Sequence, residues 1–203
     1  GDLALALART GVPARVLATD FVDEMLDIAR HKAEGWDGRT ALEFQVQDGQ
    51  ALTLPDAAFD VVTVSFGIRN MPDRSAGFRE ARRVLKEGGI LLFNVWDRIE
   101  ENPHGAINAQ IVESLFPGDE EMRFRIPYEM HNPRLPEQLL AEAGFREVQI
   151  EKRQLPVDRV SARTLATGQI RGTPRSLLIE KRGVPLDEVI DKVTAALARA
   201  GGA

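Results

Sequence analysis

The sequence contains no cysteine, which excludes disulfides and thiolate metal sites. Its histidines (His31, His104 and His131) show no spacing typical of metal ligands, so we expect no metal. No apolar run approaches the roughly 20 residues that a membrane-spanning helix needs, and the N-terminus lacks the pattern of a secretion signal. We therefore expect no membrane span and a cytoplasmic location.

An excess of basic residues is also missing. The formal net charge is -5, without strong clustering of Lys and Arg, which argues against an extended nucleic-acid interface. Hydrophobic residues make up 43% and charged residues 28%, a balance typical of a globular protein. A chain of 203 residues fits one domain, so we predict a single domain over 1–203.

Short apolar runs alternate with helical stretches, which predicts βα units around a mainly parallel sheet. The predicted strands are 15–19, 42–46, 59–66, 90–96 and 145–152. The predicted helices are 2–9, 22–33, 75–85, 107–115, 136–143, 162–168 and 185–200. We expect strand 59–66 to be buried on both faces, and helix 75–85 to carry Arg79, Arg82 and Arg83 outward. The stretch 97–132 is rich in Pro and Gly and predicts a lid or insertion over the active-site cleft.

Several motifs follow the predicted strands at their carboxyl ends, where parallel sheets bind ligands. VLATD ends on Asp20, and QDGQA follows the next strand. LPDAAFDVVTVSFGIRNMPD contains the strand 59–66, and ARRVLKEGGILLFNVW joins a helix to a strand through a double glycine. Three residues in or beside these motifs have a structural alternative. Asp20 could be a helix N-cap, Asp48 could belong to an ordinary Asp-Gly turn, and Met25, in the following stretch EMLDIAR, could be a core residue.

In this order and spacing, the motifs resemble the class I S-adenosylmethionine-dependent methyltransferases. The resemblance covers 15–96 and is weaker beyond residue 97. It implies a Rossmann-like α/β fold, S-adenosylmethionine as cofactor and methyl transfer to a small-molecule acceptor. The stretch from Phe66 to Asn70 is similar to the ubiquinone and menaquinone biosynthesis C-methyltransferases, but this local likeness does not identify the acceptor.

The resemblance also implies cofactor-binding residues at three strand ends. A carboxylate can accept hydrogen bonds from a ribose diol or from an adenine amino group. The ribose and adenine end is assigned to Asp20, Phe21 and Met25, and the adenine edge to Asp48, Gly49 and Gln50. Ser65, Phe66 and Gly67 are expected beside the methionine portion, with Gly1 and Asp2 as remnants of the family's first motif.

Acceptor-binding candidates lie beyond strand ends or in the predicted lid. They are Arg69, Asn70, Trp96 and Arg171, together with Tyr128 and His131, either of which could act as the catalytic base. Two other functions remain open: a methyltransferase-like binding module without catalysis, and a nicotinamide-dependent dehydrogenase. No nucleic-acid partner is expected, and a homodimer is left open.

One expected element is absent from the sequence. The family's first strand and its glycine-rich turn would precede Gly1 and would lie between strands 15–19 and 59–66. Unpaired buried backbone groups cost about 1–3 kcal/mol each. We therefore consider three arrangements: residues upstream of Gly1 supply the strand, the two neighbouring strands pair directly, or another chain provides it.

Overall fold

The structure is a computed structural model that describes residues 1–123, 125–155 and 160–201. Its internal contacts divide the chain into two units. The first unit comprises 1–94 and 134–148, and the second comprises 95–133 and 149–203. The two units are described separately below.

The first unit is built from two βαβ segments and flanking helices. Its helices and strands are α1 (Asp2–Arg9), β1 (Arg15–Asp20), α2 (Asp23–Lys32), β2 (Ala41–Val46), β3 (Phe59–Ser65), α3 (Arg74–Val84), β4 (Leu85–Asn94) and α5 (Arg134–Glu142), with a short 3-10 helix at Ile68–Asn70. Asp73 caps α3 by accepting a hydrogen bond from Ala76 N. Phe78 of α3 packs edge-on against Phe93 of β4, with ring centroids 5.2 Å apart.

The four strands form two sheets of two strands each, and the pairing within each sheet is parallel. β1 pairs with β2 in a regular register from Arg15↔Ala41 to Asp20↔Val46. β3 pairs with β4, and their register shifts between Phe59 and Val61. Among the described residues no ladder joins β1 to β3, so the arrangement in which these strands pair directly is not adopted.

The predicted burial of strand 59–66 on both faces is wrong. Val61 of β3 and its partner Ile90 are 47% and 55% exposed, and Leu92 is 57% exposed. Alternate side chains of a strand point to opposite faces, so these residues share one face of the β3–β4 sheet. The apolar run identified a strand, but it did not determine how many faces are covered.

The second unit is helical in its described residues. Its helices are α4 (Pro103–Leu115), α6 (Ala162–Arg171), α7 (Arg175–Lys181) and α8 (Leu186–Gly201), with 3-10 helices at Ile99–Glu101, Glu120–Met122 and Ile126–Tyr128. α8 buries Val189, Ile190 and Val193 at 0–1% exposure. These side chains follow the helical repeat and pack with Val112 and Ile170 in one apolar core.

Two further expectations are wrong. The structure assigns no strand to 145–152; an alternating pattern predicts two faces, but a strand also needs a hydrogen-bonded partner. Arg83 does not point away from α3 into solvent: its guanidinium donates to the carbonyl oxygens of Leu52 and Leu54, both at 2.8 Å. Helix α7 was not predicted from the sequence. The interpretation of 97–132 as a lid remains a prediction.

Candidate functional site

The carboxyl ends of β1 and β2 bring two carboxylates to one edge of the first sheet. Asp20 is the last residue of β1 and lies opposite Val46, two residues before Asp48. The backbone N–H of Gln47 donates to the carbonyl oxygen of Asp20 at 2.9 Å, so the two chains remain adjacent beyond the last strand pair. Asp20 and Asp48 therefore lie on neighbouring loops at this sheet edge.

Each carboxylate is held through one of its oxygens. Asp20 Oδ1 accepts from Val22 N at 3.0 Å, and Asp48 Oδ1 accepts from Gln50 N at 2.9 Å. Hydrogen bonds from the backbone and then the side chain of Gln50 lower the pKa of Asp48 below its ordinary value. Within the described residues, Oδ2 of either aspartate accepts no hydrogen bond, which leaves one acceptor on each side chain for a ligand.

Apolar side chains flank Asp20 at the start of α2. Phe21 is 71% exposed and Met25 is 50% exposed. The alternative in which Met25 is a core residue is therefore wrong. The N-cap of α2 is Val22, without a side-chain cap, so Asp20 forms a turn ahead of the helix and does not cap it directly. Two exposed apolar groups beside a carboxylate suit a nucleoside, which has both a polar edge and an apolar face.

The carboxyl end of β3 contains a strained residue. Phe66 has φ of 54°, which is uncommon for an aromatic side chain and costs about 1–3 kcal/mol. Its backbone N–H donates to the Asn94 carbonyl oxygen at 3.2 Å and to Asn94 Oδ1 at 3.0 Å. Ser65 pairs with Asn94 in the ladder, and Gly67 is the N-cap of the following 3-10 helix. Strain of this kind concentrates at binding sites.

Two residues predicted to bind the methyl acceptor, Arg69 and Asn70, lie in the 3-10 helix after β3. The Arg69 guanidinium lies over the Phe66 ring, 5.7 Å from its centroid, and the Arg69 carbonyl accepts from Arg74 Nη2 at 3.2 Å. Asn70 is exposed. The structure therefore brings Arg69 next to Phe66 within the first unit.

Gly1 and Asp2 contact the last turn of α2, whereas Asp20 precedes its first turn. A β-carbon at Gly1 would overlap Ala29, and the Asp2 carboxylate pairs with Lys32 Nζ at 2.9 Å. This ion pair lowers the pKa of Asp2. Six to nine residues of helix separate Asp23 from these contacts, about 9–14 Å along its axis. No described hydrogen bond or ion pair joins Gly1 or Asp2 to Asp20 or Asp48, and their cofactor role remains a prediction.

The remaining candidates lie in the second unit, where a pocket of about 420 Å³ contains two of them. Its lining residues are Arg98, Ile99, Glu100, Arg125, Tyr128, Glu129 and His131. Nδ1 of His131 lies 2.7 Å from the Tyr128 carbonyl oxygen. A carbonyl only accepts, so Nδ1 holds the ring proton and Nε2 carries the lone pair when the ring is neutral. His131 can therefore take a proton at Nε2.

Trp96 and Arg171, the other two acceptor-binding candidates of this unit, are not among the residues that line the pocket. Trp96 is 39% exposed. Arg171 pairs with Asp187 at 3.0 Å, so its guanidinium already has a carboxylate partner. Their acceptor roles remain predictions.

Sequence reasoning missed several residues that organise these sites. Asn94 fixes the strained Phe66, and Arg98 and Arg125 line the pocket of the second unit. Met71 packs against Gly49 and Gly77, since a β-carbon at either glycine would overlap its thioether end. Only Asn94 had a signal in the sequence: it is the polar residue of the apolar run ILLFNVW, at the end of a strand.

The described residues also bear on metal binding and on membrane insertion. No group of three or more His, Cys, Asp or Glu side chains is arranged to hold a metal ion there. None of the helices in the described ranges is both long and apolar enough to cross a membrane.

Comparison with known proteins identifies the family. The profile of the ubiE/COQ5 methyltransferase family matches residues 1–108, more than half of the chain. Demethylmenaquinone methyltransferase from Deinococcus radiodurans is 43% identical over 94 residues, which cover 45% of this chain and 37% of that protein. Ubiquinone/menaquinone biosynthesis C-methyltransferase UbiE from Bordetella avium is 43% identical over 100 residues, 49% of this chain and 38% of that protein.

Solved structures show the same fold over nearly the whole chain. YcgJ protein from Bacillus subtilis has a TM-score of 0.60 at 20% identity. The match covers 97% of this chain and 72% of the YcgJ chain. The [4+2]-cyclase SpnF has a TM-score of 0.59 at 21% identity. The match covers 98% of this chain and 64% of the SpnF chain. These likenesses concern the fold alone, which does not by itself identify a reaction.

The chain belongs to the ubiE/COQ5 methyltransferase family. The predicted Rossmann-like methyltransferase fold, with parallel strands flanked by helices, is confirmed. The matched region spans about two fifths of the length of the curated relatives, 37% and 38% for the two named above.

Proposed function

We propose that this protein is an enzyme that transfers a methyl group from S-adenosylmethionine to a small-molecule acceptor. The observation that carries the proposal is the pair Asp20 and Asp48 on neighbouring loops, each with one oxygen held by the protein and one available. Family membership supports it, because the profile that matches residues 1–108 describes methyltransferases and the curated relatives include a demethylmenaquinone methyltransferase.

In this proposal the protein mainly binds and orients. S-adenosylmethionine supplies an electrophilic methyl group on its sulfonium, so alignment of donor and acceptor accounts for most of the catalysis. Asp20 accepts from the ribose hydroxyls, Asp48 accepts from the adenine amino group, and Phe21 and Met25 cover the apolar face of the base. Ser65, Phe66 and Gly67 border the methionine portion.

Within the first unit, we assign acceptor binding to Arg69 and Asn70. Within the second unit, we propose His131 as a general base. His131 receives a proton at Nε2 because its Nδ1 is already bonded to the Tyr128 carbonyl. We propose a small-molecule acceptor; demethylmenaquinone, which appears in the name of the Deinococcus relative, is the first compound to test.

We further propose a cytoplasmic protein without a nucleic-acid partner, since the chain has no cysteine and a net charge of -5. The proposal allows a homodimer.

Calorimetric titration with S-adenosylhomocysteine tests the cofactor site. Asp20→Ala and Asp48→Ala should each weaken binding about 10- to 100-fold, because each removes a charged hydrogen-bond acceptor that serves one or two donor groups of the ligand. Asp60→Ala is the matched control: this exposed carboxylate pairs with Lys86 at 2.8 Å near the start of β3. Five residues of strand separate it from Ser65, about 16 Å. Unchanged affinity in both test variants, or no binding by the wild-type chain, would contradict the proposal.

A second experiment separates catalysis from binding alone. Methyl-labelled S-adenosylmethionine is incubated with demethylmenaquinone, and label transfer to the acceptor is measured. Transfer that falls in His131→Gln supports the assigned base. Cofactor binding without transfer to any small-molecule acceptor would instead favour a methyltransferase-like binding module.

A further inference from the structure

The side-chain amide of Gln50 is engaged at both ends. Its Oε1 accepts from the backbone N–H of Asp73 at 2.8 Å, and its Nε2 donates to Asp48 Oδ1 at 3.1 Å. A backbone N–H only donates and an ionised carboxylate only accepts. The orientation of the amide is therefore set by its partners, and flipping it would lose both hydrogen bonds.

At one end, Gln50 orients Asp48. Oδ1 of Asp48 receives both the backbone and the side-chain N–H of Gln50, at 2.9 and 3.1 Å. These donors lower the pKa of Asp48 and keep the carboxylate ionised. Since they restrain the carboxylate through Oδ1, they also restrict where Oδ2 lies.

At the other end, Gln50 holds the segment that follows β3. Asp73 caps α3 through Ala76 N at 2.8 Å and comes shortly after the 3-10 helix Ile68–Asn70. Met71 of this segment packs against Gly49, the residue between Asp48 and Gln50. The loop after β2 and the loop after β3 are therefore joined by a hydrogen bond and by side-chain packing.

We propose that Gln50 is a positioning residue that acts through Asp48 and ties the cofactor edge of the sheet to the segment carrying Arg69 and Asn70. The inference rests on the proposed function and deepens it, because it replaces a direct contact between Gln50 and the cofactor with an indirect role. Each end of the amide already forms a hydrogen bond with a protein group, and the two bonds together fix its orientation.

Two substitutions distinguish the hydrogen bond to Asp48 from the hydrogen bond to Asp73. Gln50→Glu retains an oxygen for the Asp73 N–H but places a second carboxylate beside Asp48, whereas Gln50→Ala removes both hydrogen bonds. Like charges at this distance repel, and two close carboxyls share a proton when the pH falls because one of their pKa values rises. The other charged groups on the loop after β2, the segment after β3 and α3, and at the end of β1, are unchanged in both variants. They are Asp20, Asp56, Arg69, Asp73, Arg74, Arg79, Glu80, Arg82 and Arg83.

The experiment measures S-adenosylhomocysteine affinity of the full chain by calorimetry at about pH 8 and about pH 5. At the higher pH, Gln50→Glu should bind about tenfold more weakly than wild type, and more weakly than Gln50→Ala. At the lower pH, Gln50→Glu should regain most of its affinity relative to wild type, while Gln50→Ala should not. Recovery within one variant also shows that the variant is folded.

Gln45→Glu is the matched control, since it adds the same charge at an exposed position of β2 and should bind like wild type at both pH values. Wild-type affinity in both Gln50 variants, or a Gln50→Glu deficit that does not change with pH, would overturn the positioning role alone. A wild-type chain that binds no S-adenosylhomocysteine would overturn the proposed function and this inference together.

Discussion

Arg83 and Glu80 hold the segment between β2 and β3 against α3. Arg83 donates to the carbonyls of Leu52 and Leu54, to Asp56 at 2.6 Å and to Glu80 at 2.7 Å. Glu80 in turn accepts from Leu52 N at 2.7 Å, and its side chain is only 19% exposed. A planar guanidinium can serve several acceptors at once. This segment directly follows the Asp48 loop, so the pair supports the candidate cofactor site.

Replacing Glu80 should destabilise the protein in a pH-dependent way. Glu80→Ala should lower the free energy of unfolding by about 1–3 kcal/mol at neutral pH, because it leaves Leu52 N without its acceptor and removes one of the acceptors of Arg83. Arg83, as the largest cause, lowers the pKa of Glu80 below its ordinary value of 4.5. A depressed folded-state pKa gives stability that is present above pH 4.5 and lost as the pH falls through the folded pKa.

Urea denaturation at about pH 7 and about pH 3 measures this effect. The difference between wild type and Glu80→Ala should shrink at the lower pH. Glu34→Ala serves as the control, because Glu34 is 72% exposed and pairs with an exposed His31; its effect should stay within about 0.5 kcal/mol. An equal loss at both pH values would show that the charge on Glu80 contributes nothing.

At the level of helices, α4 and α6 each contain a glycine. Helix propensity alone would favour replacing each of them by alanine. Alanine is favoured over glycine inside a helix by about 0.8–1 kcal/mol. At Gly168 of α6, an added β-carbon would meet no atom within 4 Å. At Gly105, in the first turn of α4, it would overlap the hydroxyl oxygen of Tyr128. Gly105 therefore makes room for a residue that lines the pocket of the second unit.

The two substitutions should differ in their outcome. Gly168→Ala should raise the free energy of unfolding by about 0.5–1 kcal/mol. Gly105→Ala should gain less, because its β-carbon would overlap the hydroxyl oxygen of Tyr128. The double variant Gly105→Ala, Tyr128→Phe should recover the helix gain. Equal stabilisation by both glycine substitutions would contradict this account of Gly105.

At the level of the whole molecule, cofactor binding should appear as added thermal stability. A ligand that binds only the folded state stabilises it by about 2.7 kcal/mol at a concentration 100 times its dissociation constant. S-adenosylmethionine and S-adenosylhomocysteine should therefore raise the melting temperature of wild type, and Asp20→Ala and Asp48→Ala should reduce the shift. NAD is the comparison ligand and should cause none. A shift with NAD alone would favour the dehydrogenase alternative over methyl transfer.

Local sequence determined most of the elements and their order. The apolar runs around Val16 and Val62 and the amphipathic repeat ending near Leu197 predicted β1, β3 and α8 within a few residues, because helix and strand periods depend on neighbours along the chain. The carboxylates Asp20 and Asp48 were identified through the family resemblance. They share one edge because each lies at or just after the carboxyl end of a strand, and parallel strands present those ends at one edge.

Only the tertiary structure decided which of these groups meet. Gln50 with Asp73, and Arg83 with Leu52, join residues 23 and 31 positions apart. The exposure of Val61 likewise depends on what covers its face, and the absence of a strand at 145–152 depends on a missing hydrogen-bond partner. Local periodicity specifies the face a residue occupies, whereas contacts between distant segments depend on how the elements pack, which no single stretch of sequence encodes.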